Sequence, residues 1–346
     1  MSAGLVAHLP APLAAALGAL DRGWPGEAGA DCARCPMQAA PAPHPWRFSA
    51  DSKCCTAHPT LANFLVGRAL ADPASASAAL VHARLSDPAG VGPLGLDPPP
   101  AYDARYRRDA DGGFGQDQSL RCPFWVGGAD SCGVWAVRSA TCRTWFCRHD
   151  HGLHGAAAWG QASFWVSGLE QRLAELCAAR VGPPGPDPDW ADYFVRCAAA
   201  SERLDLADVD ALLTPALRVA LDEVLVVRAA ATERAATWAP LPARLQPALS
   251  EWHQLDDGQV VVTGYSTFDA VVAPAGFFGF LAELGGDGDW RRARAAVRRA
   301  RADAAWLDDD TVAGLVRVGA LVAPDTPPPP VELVALRRWT RRGHTP

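Results

Sequence analysis

Residues 120–148 read LRCPFWVGGADSCGVWAVRSATCRTWFCR, and the reading of this stretch decides how the first half of the chain is built. Cys122, Cys132, Cys142 and Cys147 recur among short apolar pieces that are too interrupted for a long helix, so strands and turns are expected here. Arg138 and Arg143 stand beside these thiols. A guanidinium near a thiolate lowers its pKa and offsets the negative charge of a thiolate-rich centre, so both arginines are candidate cofactor-contacting residues. Trp125, Trp135, Trp145 and Phe146 supply an apolar wall that would limit solvent access.

Working outward, the remaining cysteines sharpen this picture. Eight of the ten lie between Cys32 and Cys147, whereas cysteines that only fill a core would be scattered. Cys32-Ala33-Arg34-Cys35 is a C-x-x-C unit, whose spacing lets a tight turn aim two sulfurs at one ion. No βαβ pattern surrounds it, which sets aside a thioredoxin-like redox pair. Cys54-Cys55 follows Lys53, the only lysine. Neighbours in a strand point to opposite faces, so one metal takes both sulfurs only if the backbone turns. Otherwise one ligates and the other serves a second site or the core. The candidate metal ligands are therefore Cys32, Cys35, Cys54, Cys55, Cys122, Cys132, Cys142 and Cys147, holding an iron–sulfur cluster or zinc. His58, and His149, His151 and His154 in CRHDHGLHG, are further candidates, set against a polar loop that caps the next helix. Cys177 and Cys197 sit in helical sequence and are expected in the core.

These residues resemble a family of cysteine-cluster proteins described as zinc- or iron-chelating, which includes flagellin lysine N-methylase. That family has an early group of cysteines ending in Cys-Cys, a Cys-Pro-Phe-like unit, and then Cys-x-[Ile/Val]-[Tyr/Trp]-x-x-Arg-Pro-x-x-Cys-Arg. The chain has Cys32, Cys35, Cys54 and Cys55 in order, then Cys122-Pro123-Phe124, and then Cys132-Gly133-Val134-Trp135 through Arg138 to Cys142-Arg143. It departs from the pattern in the inserted segment 36–53 and in Ser139, where the family prefers proline. The resemblance covers roughly residues 30–150. It implies a bound metal and, in the methylase branch, dependence on S-adenosylmethionine. No glycine-rich strand–loop–helix for a nucleoside is present, because Gly112-Gly113-Phe114-Gly115 reads as a flexible loop.

Composition bounds the rest. With 49% apolar and 20% charged residues the 346-residue chain is globular, and a net charge of −6 argues against a nucleic-acid-coating protein. Met1 to Leu20 is apolar but lacks a basic leading segment and is interrupted by Pro10 and Pro12, so no secretory signal is expected. No stretch reaches the length of a membrane span. A cytoplasmic setting follows, where thiols stay reduced.

Helices are expected over 4–20, 61–70, 74–84, 156–181, 189–201, 207–236, 274–284, 289–306 and 309–319, and strands at 259–264, 269–272 and 331–336. The Gly182-Pro183-Pro184-Gly185-Pro186-Asp187-Pro188 run divides the chain. The expected organisation is a cysteine-cluster domain over 1–182, a linker at 183–188 and a mostly helical domain over 189–346. The fold class is α+β, mainly helical, with an irregular cysteine-rich amino-terminal part. Segment 258–324 resembles in its order the small winged-helix modules that peptide-modifying systems use to hold leader peptides, which implies a peptide or protein partner. The arginine run from Arg291 to Arg301 lacks interleaved exposed aromatics and reads as a solvated helix face. An enzyme, a non-enzymatic structural zinc or metal-handling protein, and a protein lysine methylase all remain open at this point.

Overall fold

The computed structural model describes residues 5–21, 32, 35–38, 47–108, 113–127, 131–235, 241–255, 258–274, 276–301 and 303–326. The fold is mainly helical with small antiparallel sheets.

Near the amino terminus, α1 (Ala11–Ala16) begins at Pro10 and Pro12, which break the longer helix expected over 4–20 and start a shorter one. Strand β1 (Leu61–Ala62) leads into α2 (Asn63–Leu70), followed by α3 (Ala76–Leu85), whose N-cap Ser75 accepts from Ala78 N. The glycine- and proline-rich stretch 87–100 contains a tight hairpin, β2 (Val91–Gly92) and β3 (Gly95–Leu96), and β3 also pairs with β1. Helix α4 (Pro100–Arg108) was not legible, because none of its residues is buried and it carries no apolar stripe.

The cysteine-rich stretch forms β4 (Trp125–Val126), β5 (Ser131–Cys132) and α5 (Ala140–Thr144). The long α6 (Gly152–Val181) follows, with Trp165, Leu169 and Leu173 fully buried at helical spacing. Beyond the Gly-Pro run come α7 (Trp190–Ser201), α8 (Leu206–Leu212) and α9 (Pro215–Ala235). The single helix expected over 207–236 is split before Pro215, since proline's ring and missing N–H suit a first helical turn and not an interior.

Helices α6 and α7 flank the Gly-Pro run yet share one core: Leu169, Leu173 and Cys177 of α6 meet Phe194 and Cys197 of α7 and Phe64 and Val66 of α2. The 182–188 segment thus turns the chain within a single core that runs from Leu5 to Val224. A second core runs from Leu245 to Leu321 and takes in Ala156 near the start of α6. Both Cys177 and Cys197 are fully buried, and Tyr193 hydrogen-bonds the Cys197 thiol.

The closest approach in the first core is between α2 and α7. A Cβ on Gly67 would lie 1.9 Å from Phe194 O and 2.7 Å from the Ala198 methyl. Glycine-to-alanine inside a helix ordinarily stabilises by about 1 kcal/mol. Here the added methyl must push α7 away, and overpacking of this kind costs about 1–3 kcal/mol. Gly67→Ala is expected to lower stability in chemical denaturation, reversing the sign that propensity alone gives.

The second core is a meander of β7 (Glu251–Gln254), β8 (Val260–Thr263) and β9 (Ala270–Ala273), packed on α10 (Phe277–Leu284), α11 (Trp290–Ala300) and α12 (Asp309–Arg317). Strand β6 (Gln246–Pro247) closes the unit by pairing with β10 (Leu321–Val322). Strand β7 went unpredicted because Glu251, His253 and Gln254 are polar, and only its pairing with the valine-rich β8 reveals it. The arginines of α11 are solvated, with Arg292 pairing Asp287 at 2.9 Å, while Trp290, Ala293 and Val297 are buried. The strand expected at 331–336 lies outside the described residues. No helix among the described residues is long and apolar enough to cross a membrane.

Candidate metal centre

Four separate pieces of chain deliver the eight thiols to one region. The first is the loop carrying Cys32 and Cys35, with a turn closed by Gln38 N donating to Cys35 O at 3.0 Å. The second is a compact turn in which Lys53 N donates to Ser49 O and Cys55 N to Ser52 O, both at 2.9 Å. Lys53 adopts φ 50, the left-handed region that non-glycine residues seldom enter, so the Cys54-Cys55 pair sits on a turned backbone rather than in a strand. The third piece is Cys122, fixed by its N–H donating to Cys55 O at 2.7 Å. The fourth runs from Cys132 to Cys147. Pairing of Trp125 with Cys132, and Gly133 N donating to Phe124 O at 2.8 Å, fold Cys132 back beside Cys122.

The thiols face one another. Cys54 forms side-chain hydrogen bonds with Cys147 and Cys55, and its charge acts on Cys32, Cys35, Cys122, Cys132 and Cys142. The pair contacts hold the Cys54 thiol well below its ordinary pKa. Burial pushes Cys32 up to about 11 and Cys122 up to about 12, and raises Cys142 further. Burial favours the neutral thiol, whereas a metal ion would favour the deprotonated sulfur.

Two positive side chains lie in this region. Lys53, 1% exposed, donates to Cys32 O and lies 5.6 Å from the Trp125 ring centroid. Arg138 stacks 3.3 Å from the Trp135 ring centroid, donates to Cys142 O at 3.4 Å, and faces Cys142, Cys132, Cys32 and Cys54. Arg143, expected to share that role, is turned mainly to the backbone. Its Nε donates to Arg138 O at 2.9 Å and its NH2 to Ala136 O at 2.6 Å, so it braces the turn that carries Arg138.

The donors around the sulfurs fit a thiolate-bound metal. Backbone N–H groups two residues ahead lower the pKa of three thiols: Met37 toward Cys35, Phe124 toward Cys122 and Val134 toward Cys132. Such N–H···S contacts stabilise thiolates and tune thiolate-bound metals. Two further buried donors lack an acceptor of good geometry: Nε of Arg138 and Nε1 of Trp145, whose indole lies beside Cys147. Among the described residues no group of three or more Cys, His, Asp and Glu side chains stands at the spacing that holds an ion. Ligation would therefore require the thiol–thiol hydrogen bonds to give way to sulfur–metal bonds.

Around the sulfurs is an aromatic shell. Phe48, Phe114 and Phe268 meet pairwise with ring centroids 5.4 Å apart, and Trp145 lies 5.4 Å from Phe114 and 6.1 Å from Phe268. Phe268 comes from the β8–β9 loop of the second core and packs, as Cys54 and Cys147 do, against the small cluster of Cys35, Met37 and Phe48. The loop is held by Asp269, whose carboxylate accepts two hydrogen bonds from Arg317, at 2.8 and 2.9 Å, and one from Tyr265 OH at 2.5 Å. Arg317 Nη1 also donates to His149 O at 3.0 Å, and His149 N donates to Tyr265 OH at 3.1 Å. These contacts join the second core to the segment just after Cys147. Residue-by-residue reading missed Phe268, Asp269 and Arg317, since their contacts to the cysteine region span over a hundred residues.

Two more supports set the position of Cys142. Glu170 of α6 accepts from Ala140 N at 2.8 Å and lies 2.6 Å from His8 Nε2, fixing the start of α5. Ser139 precedes that helix with φ −66, the angle a proline ring imposes, so the serine keeps the backbone that the resembled pattern implies.

The histidines take other positions. His149 is buried between Phe146 and Tyr265, and His151 is the N-cap of α6. His58 is buried against Tyr102 and Phe124, with Nδ1 donating to Pro59 O at 3.0 Å. Burial pushes its pKa down to about 4, against about 6.5 when unfolded. Between these values the unfolded state binds more protons, so stability is complete above pH 6.5 and falls as pH drops toward 4. The loss amounts to roughly 3 kcal/mol. Denaturation curves from pH 7 to 4.5 are expected to show this slope, and His58→Gln to flatten it.

No protein-family pattern, no curated protein and no solved structure matches the chain, so the cysteine-cluster resemblance rests on residues 32–143 alone.

Proposed function

We propose that the chain is a metal-binding cysteine-cluster protein whose thiols hold an iron–sulfur cluster or zinc, and that its second core engages a peptide or protein. One observation carries the metal reading. Eight thiols from four pieces of chain share one buried region with two cations, and three of them accept backbone N–H groups. Thiolates, not thiols, are what such donors and cations stabilise.

Support for a peptide or protein partner comes from the second core. Among the described residues β9 pairs only with β8, which leaves its outer edge open to an added strand. Trp252 is 51% exposed and meets Phe278 at 4.9 Å, giving an aromatic anchor on the same unit. A purely structural zinc module is the second reading, favoured by the short two-residue strands around the cysteines.

Anaerobic purification followed by metal and acid-labile sulfide analysis tests the proposal. Iron with sulfide and a brown colour supports a cluster, and colourless protein with stoichiometric zinc supports the structural module. Protein that binds neither metal refutes both readings.

A further inference from the structure

We propose that the eight cysteines make two four-thiol metal sites that meet at the Cys54-Cys55 peptide, one formed by Cys32, Cys35, Cys54 and Cys147 and the other by Cys55, Cys122, Cys132 and Cys142. This rests on the metal-binding reading above and extends it to the number of centres and the grouping of their ligands.

Packing divides the thiols in this way. Cys35, Cys54 and Cys147 belong to one small apolar cluster with Met37 and Phe48, and the Cys54–Cys147 hydrogen bond lies inside it. Cys32 joins them through the C-x-x-C spacing, and Cys54 acts on it ahead of Cys132 and Cys35. Cys55, Cys122 and Cys132 instead pack against the large first core. Within that second set, Cys122 N bonds Cys55 O at 2.7 Å, and the β4–β5 pairing places Cys132 beside Cys122. Cys142 faces Cys122 and Cys132 ahead of Cys54. The left-handed turn at Lys53 is what assigns adjacent residues to different clusters while their sulfurs still touch.

Chemistry supports the same division. Four thiolates complete a tetrahedral zinc site or ligate a four-iron cluster, and eight make two such sets with none left over. Four thiolates on a dication leave a net negative charge, and a cation lies beside each set. Lys53 serves the first, through Cys32 and Cys35, and Arg138 serves the second, through Cys142 and Cys132.

The test is an anaerobic titration of the reduced, metal-free full chain with cobalt(II), read by sulfur-to-cobalt charge-transfer absorption. Wild type is expected to saturate at two equivalents. Cys35→Ser and Cys147→Ser should each keep one four-sulfur site, as should Cys122→Ser and Cys142→Ser, and the Cys35→Ser/Cys142→Ser double variant should keep none. A single endpoint at one equivalent in wild type would overturn the division, and this readout needs no variant to fold. So would a single serine variant that loses all cobalt binding while keeping wild-type helical circular dichroism. Wild type that binds no cobalt would instead remove the metal reading on which the division stands.

Discussion

Stripping the metal from the reduced chain is expected to unfold the cysteine region while the second core stays intact. The segments that carry the thiols have little regular structure: β4 and β5 are two residues each, and α5 is five. On the proposed metal reading, ligation would contribute much of their order. Structural zinc sites in small domains contribute on the order of 10 kcal/mol or more. If even about 5 kcal/mol is lost here, the melting midpoint should fall by about 10–20 °C. The second core contains buried Phe277, Phe280, Trp290 and Leu315, none of which touches a thiol. Hydrogen exchange after anaerobic chelation should therefore accelerate across 113–150 and remain slow in β8 and α12. Uniform loss of protection across both regions, or no loss in either, would show that metal does not order the cysteine region.

Arg317→Ala is the second large effect. Asp269 is 2% exposed and bonds Arg317 through both oxygens, so removing the guanidinium leaves a buried carboxylate with only the Tyr265 hydroxyl. Breaking a fully buried pair from one side costs about 3–5 kcal/mol, and with the Arg317 side chain 32% exposed the loss here should lie at or below the low end of that range. The same substitution removes the bond to His149 O and releases the loop that holds Phe268 against the cluster of Cys35, Met37 and Phe48 beside the thiols. Two readouts should move together: the unfolding midpoint falls, and metal passes to a competing chelator faster, with the amount bound at the start unchanged. Asp269→Asn, which keeps the shape and loses the charge, should show a smaller drop in stability. If Arg317→Ala melts early but releases metal at the wild-type rate, the β8–β9 loop does not shield the centre.

How far the sequence alone leads depends on whether a contact is local. The buried stripe Trp165, Leu169 and Leu173 identified α6, and the valine run identified β8, because in each case one segment carries its own periodicity. The cysteines stood out by their clustering, and the structure brings them together although they are far apart in the chain. Contacts across the chain were not legible. Glu170 anchors Ala140, Phe268 closes the aromatic shell, and Arg317 holds Asp269, and each partner looks ordinary where it stands. The Gly-Pro run at 182–188 shows the opposite failure. Its composition reads as a boundary, yet the helices on both sides bury the same core, since a short rigid turn can join packed neighbours as well as separate units. Lys53 is a subtler case: a left-handed lysine has no signature in sequence, but it turns the backbone that carries Cys54 and Cys55.

X-ray absorption at the metal edge of anaerobically purified protein probes the ligand shell itself. Convergence of Cys32 through Cys147 on metal predicts a first shell made only of sulfur, at about 2.3 Å for both zinc and iron thiolates. A shell dominated by nitrogen or oxygen would contradict it, because the metal would then sit elsewhere and the eight thiols would be no more than packing.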